Sequence, residues 1–194
     1  MDPRLILWAR AVKRRDAQAI PLWFFTDATR LPDPLPVIRT LPAGLCGVVL
    51  RHDSHPTRAL LAKQIARLCR ARGLQLVIAG DAQLARALRV GLHLRGGAGG
   101  RPVGWHGGLL SASAHNPAQL RQARRAGVEM VFLSPVFPTR SHPGEAVLGA
   151  AGWRRLAAQA GGVKPYALGG LTGQTVWQLG PACAGLGAIA AFYE

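Results

Sequence analysis

"SASAHNPAQLRQARRAGVEMVFLSP" occupies Ser111 to Pro135, and its order of residue types is strand, helix, strand. The segment 107–113 is small and apolar and leads into a polar pair. Asn116 is a side chain that caps a helix start, and Pro117 follows at the first helical position, where its missing N–H costs nothing. Gly127 then ends the helix by accepting a backbone twist that other residues resist. The run over 129–135 is continuously apolar, as expected of a strand covered on both faces. Two strands joined through one helix within so short a stretch form a parallel crossover unit.

Working outward, the same alternation recurs along the chain. Strand candidates fall at 21–27, 46–52, 74–80, 91–95, 107–113, 129–135, 165–170 and 185–192. Between them, 55–73 has Leu60, Leu61, Ile65 and Leu68 on one helical face, Pro56 at a plausible first helical position and Gly73 as a stop. Shorter helical patterns follow in "DAQLARALRVG", "LGAAGWRRLAAQAGG" and "LTGQTVWQLG". This is a parallel α/β chain, and eight strands predict a closed (β/α)8 TIM barrel over residues 1–194 as one domain. At 194 residues it is shorter than the roughly 200 to 400 usual for that fold. The economy is expected after strand 4, where "GGAGGRPVGWHGG" (96–108) is too glycine-rich for a full helix, and after strand 8, where no helix is expected. Residues 1–20 contain "PRLILWARAVKRR", read as a helix packing over the gap between the last and first strands.

With 49% hydrophobic residues the chain can build its core without staples. Cys46, Cys69 and Cys183 have no paired spacing, so neither a disulfide framework nor a zinc site is suggested, which fits a cytoplasmic protein. No apolar run approaches the roughly 18 residues of a membrane span. The formal net charge of +15 is carried mostly by arginines spread over helix-like segments. That pattern fits solvated helix faces, and no finger, zipper or aromatic-basic strand motif points to nucleic acid. The partner expected is a small phosphorylated molecule; a homodimer is an allowed assembly.

The strand ends carry the chemistry. The loop "SPVFPTRSHPGE" (134–145) leaves an apolar strand for a turn rich in prolines, hydroxyls and cations, and such loops on rigid scaffolds commonly bind ligands. Gly169 and Gly170 either bring bare backbone amides to an anion, aided by a helix starting near Thr172, or simply make a tight turn. Arg140 is either a bidentate phosphate ligand or a solvated loop arginine. His115 is a proton carrier or only the residue before the Asn116 cap. His93 is a core or rim histidine or a ligand, and Asp27 a turn former or a site residue.

Taken in order, "FFTD", "VLRHD", "GLHLR", "SASAH", "SPVFPTRSHPG", "ALGGL" and "GLGAIAAF" resemble the strand ends of the thiamine phosphate synthase family and its relative, the thiazole tautomerase. The likeness covers about 21 to 192, as a divergent member. It implies synthesis of thiamine phosphate from a pyrimidine diphosphate and a thiazole phosphate, with Mg²⁺ neutralising the departing pyrophosphate; a tautomerase would need no cofactor. It implies substrate or phosphate contacts at Arg51, Ser113, Thr139, Arg140, Ser141, His142, Gly169, Gly170 and Ala190. By the tautomerase likeness His115 is the proton shuttle, a role that suits a group titrating near neutrality.

The departures cluster around metal and pyrophosphate. Asp81 is retained as a metal carboxylate, but Gly80 stands where the family has asparagine, and Arg95, Gly96 and Ala98 stand where it has its second carboxylate. "VLRHD" keeps Arg51 but has Val49, His52 and Asp53 around it. His142 replaces a lysine and Ala190 a serine. The alternatives are therefore a synthase with a rebuilt cation site, a tautomerase-like isomerase using His115, or a phosphate-binding barrel without catalysis.

Overall fold

In the computed structural model, which describes residues 1–53, 55–96, 100–139, 144 and 146–193, the eight strands close into one parallel barrel in sequence order, β1 pairing with β8. The strands are β1 (Leu22–Phe25), β2 (Cys46–Leu50), β3 (Gln75–Ala79), β4 (Gly91–Leu94), β5 (Leu110–Ala114), β6 (Met130–Leu133), β7 (Lys164–Leu168) and β8 (Gly185–Ala188). Among the described residues six helices accompany them: α1 (Pro3–Arg15), α2 (Leu35–Thr40), α3 (Arg58–Ala71), α4 (Ala82–Leu88), α5 (Pro117–Arg125) and α6 (Gly149–Ala157). The expected (β/α)8 architecture is therefore present. Among the described residues no helix follows β4, only a short 3-10 turn (Ala190–Phe192) follows β8, and no helix is long and apolar enough to cross a membrane.

Strand periodicity divides the core into two layers. Leu22, Phe24, Val48, Leu50, Leu76, Ile78, Leu110, Val131 and Leu133 face the helices, while Trp23, Phe25, Val49, Val77, Ala79, Met130, Phe132 and Tyr166 fill the barrel. The inner rings meet edge to face: the centroids of Phe25 and Phe132 are 4.8 Å apart at 88°, a geometry that favours the positive ring edge over the negative face. On β4 and β5 the inward positions are instead His93, Ser111 and Ser113, so polarity enters the barrel from one side.

The helices depart from the sequence reading in informative ways. Asn116 caps α5 through the Gln119 amide at 3.0 Å, as its spacing predicts. α3 begins at Arg58 rather than near Pro56, and its buried stripe is Leu61, Ala62, Ile65, Ala66 and Cys69. Leu60 points to solvent at 56% exposure, because the four-residue spacing of the small residues aligns the other face with the sheet. α2, not anticipated, is a six-residue helix bounded by prolines. The helix expected near Thr172 contracts to a 3-10 turn at Val176–Leu179, preceded by a turn that Thr172 and Thr175 stitch to each other's backbone and hydroxyl groups. α1 buries Leu5, Trp8, Ala9 and Val12 and packs against that 3-10 turn, between β7 and β8. All three cysteines are buried, and burial pushes each thiol up to about 12.

Phe132 touches Trp23, Phe25, His93 and Tyr166 across the barrel. Phe132→Ala is expected to lower unfolding free energy by about 3–5 kcal/mol, the range for removing a buried aromatic ring. Urea unfolding followed by tryptophan fluorescence measures it.

Candidate active site at the carboxyl rim

A cavity of about 1340 Å³ opens at the carboxyl ends of the strands. Its walls include Arg51, Ser113, His115, Thr139, Gly169, Gly170 and Ala190, so these seven sequence-predicted residues share one space. Arg140, Ser141 and His142 lie outside the described residues. Asp27 is a turn former: its Oδ1 accepts from the amides of Thr29 and Arg30 at 3.0 and 3.1 Å. His52, wholly buried, bonds Thr26 Oγ1 at 2.9 Å and faces the Leu31 and Pro32 carbonyls.

One end of the cavity is built from backbone. Gly169 and Gly170 have φ of +96° and +66°, and a Cβ on Gly170 would come within 2.5 Å of the Pro138 carbonyl oxygen. Only glycine combines that twist with that approach. The 134–139 loop is docked here, the Val136 amide donating to Leu168 O at 3.0 Å and the Phe137 amide to Gly169 O at 3.1 Å. Backbone turns and the Thr139 side chain thus shape this wall.

The middle of the cavity holds two histidines in different states. His115 has Nδ1 2.9 Å from Ser134 O. A carbonyl only accepts, so Nδ1 carries a hydrogen, and Ser134 Oγ lies 3.2 Å from the same nitrogen. Gly96 leaves Nε2 room: a Cβ there would lie 3.2 Å from it. An imidazole oriented through one nitrogen at a cavity wall is the geometry of a proton-transfer group. His93 is enclosed at 3% exposure, with Nδ1 2.9 Å from Ser111 Oγ and Nε2 3.0 Å from Ser113 Oγ. Ser111 gives its hydroxyl hydrogen to Leu92 O. The neutral ring donates from one nitrogen and accepts at the other, so it holds both serine hydroxyls in place, Ser113 at the cavity wall. Burial, with Arg51 and Arg95 nearby, brings the His93 pKa down to about 3.

The other end is cationic. Arg30, Arg51 and Arg95 line it, with Asp53 among them. Arg95 pairs with Asp53 Oδ2, and Arg58 reaches Asp53 Oδ1 at 3.1 Å and Asp81 Oδ2 at 3.3 Å. Asp81, expected as the metal carboxylate, does not line the cavity: its Oδ1 caps α4 through the Leu84 amide at 2.9 Å and its Oδ2 is taken by Arg58. Among the described residues no group of three or more His, Cys, Asp or Glu could hold a metal ion. From sequence, Arg30 and Arg58 are not placed in or beside the site, and Ser134 is included only as the first residue of the 134–145 loop. Arg95 and Asp53 had a signal in their position just past strand ends; Arg58, on the first turn of a helix, had none.

Fold and rim together define a (β/α)8 barrel with its cavity at the carboxyl face. A family model described as thiamine monophosphate synthase matches residues 35–192, and the chain belongs to that family. It is 36% identical over 85 residues to the thiamine-phosphate synthase of Geobacillus thermodenitrificans, covering 42% of this chain and 38% of that protein. It is 31% identical over 127 residues to that of Bacillus velezensis, covering 59% and 54%. The chain thus spans about half or less of the length of the curated relatives it matches. Among solved structures, thiamine phosphate pyrophosphorylase from Pyrococcus furiosus superposes with a TM-score of 0.76 at 20% identity, covering 90% of this chain and 87% of that one.

His93 makes stability depend on pH with a definite sign. Its folded pKa of about 3 lies below the ordinary 6.5, so the unfolded chain takes up the proton first. His52 is shifted downward by burial in the same sense. Stability therefore falls as pH drops below 6.5 and the His93 contribution is exhausted near 3. In His93→Gln the fall of the urea midpoint across that window should be shallower than in the parent.

Proposed function

We propose that this chain is an enzyme of thiamine biosynthesis that joins a pyrimidine diphosphate to a thiazole phosphate in the rim cavity. The observation that carries the reading is that one cavity joins the Gly169–Gly170 turn after β7 to a wall lined by Arg51 and Arg95 after β2 and β4. A cavity of about 1340 Å³ exceeds the roughly 300–1,000 Å³ usual for a single small ligand. Family membership supports the same reaction class.

In this reading the thiazole phosphate rests on Gly169 and Gly170, and the pyrimidine diphosphate points its phosphates at Arg51 and Arg95. Ser113 accepts a hydrogen bond from the ring between them, oriented by His93. The Mg²⁺ that the resemblance implies does not fit these residues: both Asp53 oxygens and Asp81 Oδ2 are engaged by guanidinium groups, and Asp81 Oδ1 by a helix amide. No step is assigned to it.

A second reading is favoured by His115 alone. Its Nδ1 is fixed by Ser134 O and its ring lines the cavity, which suits proton transfer on a carboxylated thiazole phosphate. Purified protein incubated with pyrimidine diphosphate and thiazole phosphate should form thiamine phosphate, read by its oxidised fluorescence. If no product forms and isomerisation of the carboxylated thiazole does occur, falling about 10²–10⁴-fold in His115→Ala, the second reading replaces the first. Failure of both reactions removes the enzyme reading.

A further inference from the structure

We infer that Arg58 and Arg95 take the place of a divalent cation at this rim, so that the chain holds a diphosphate group without metal. The inference rests on the synthase reading above and adds the means of charge neutralisation. Arg58 places Nη1 and Nη2 on two carboxylates from neighbouring strand ends, Asp81 after β3 and Asp53 after β2, and Nη2 also donates to Ala79 O at 2.7 Å. This is a cation held between converging oxygens, but it is part of the polypeptide.

The placement runs against helix electrostatics. Arg58 is the first residue of α3, whose amino end carries partial positive charge and favours anions. The two carboxylates offset that mismatch. Arg95 is admitted by Gly80: a Cβ there, at φ +70°, would lie 2.9 Å from Arg95 Nε. A glycine that makes room and an arginine that fills it are two halves of one arrangement.

The charges then leave a surplus directed at the cavity. Arg51, Arg58 and Arg95 face Asp53 and Asp81, so the cluster is net positive before Arg30 is counted. The Arg51 guanidinium has no ion pair among the described residues and lines the same cavity as Arg95. Guanidinium groups present paired N–H donors that match phosphate oxygens, and they stay charged at every relevant pH. A diphosphate seated on Arg51 and Arg95 would meet fixed donors where a metal-dependent site would need to recruit an ion.

The test is calorimetric titration of inorganic pyrophosphate into the full chain, with a chelator and with Mg²⁺, alongside thiazole phosphate as a separate ligand. Pyrophosphate affinity should persist in chelator within about threefold, and Arg95→Gln should weaken it about tenfold or more. Paramagnetic resonance titration should show no Mn²⁺ bound by the parent, and Mn²⁺ uptake in an Arg58→Met, Arg95→Gln double variant. Loss of pyrophosphate binding in chelator, its absence under both conditions, or Mn²⁺ binding by the parent that Asp53→Asn abolishes would each overturn the inference. Arg95→Gln leaves the Arg58 pairs intact and so stands in if the double variant fails to fold. Thiazole phosphate that binds while pyrophosphate does not would sink this inference and leave the thiazole site standing; the converse would sink the thiazole site.

Discussion

Strands of only four or five residues must close around a filled interior, and everything at the rim depends on how that filling is done. Large rings from β1, β6 and β7 occupy the centre, and those of β1 and β7 fit because the neighbouring strands β2 and β8 carry glycine. A Cβ at Gly47 would meet Trp23 at 2.6 Å, one at Gly185 would meet Tyr166 at 2.1 Å, and one at Gly187 would meet Phe25 at 2.5 Å. Ring and gap are complementary in volume, the condition for a close-packed interior. With the lower barrel full, the space above it becomes the cavity, and strand-end side chains are held at defined heights over a rigid floor.

The polar inward positions of β4 and β5 are the exception that links core to chemistry. His93 lies edge-on between Phe25 and Phe132, at 5.6 and 5.7 Å between centroids, and satisfies both ring nitrogens with serines. A buried imidazole so placed stays neutral and sets the direction of Ser113. His115, one layer higher, is less enclosed and is turned by the carbonyl and hydroxyl of Ser134. The two histidines show how depth in the barrel separates an enclosed ring from one at the cavity wall. The arginine cluster adds the third element, charge, on the side of the rim away from the glycine wall.

Much of this was legible from residue order. Continuous apolar runs marked all eight strands, Asn116 and Pro117 marked the start of α5, and the strand ends named most of the cavity wall. What escaped has physical reasons. α2 is a short element bounded by prolines, without enough turns to express a period. Leu60 looked like a core residue because apolarity does not reveal which of two adjacent positions faces the sheet. The segment after β7 read as a helix, but hydroxyls of Thr172 and Thr175 compete for its first amides. Asp81 looked like a metal ligand because its partner, Arg58, comes from a different strand-to-helix turn and meets it only in three dimensions.

The three thiols have a practical consequence. Cys46, Cys69 and Cys183 are at most 2% exposed, so almost no thiolate is offered to an alkylating reagent. A cysteine introduced at an exposed rim position would be the one that reacts in the folded state. A single fluorophore or spin label can therefore be attached beside the cavity without removing any native sulfur, and the barrel supplies its own silent background for following ligand entry.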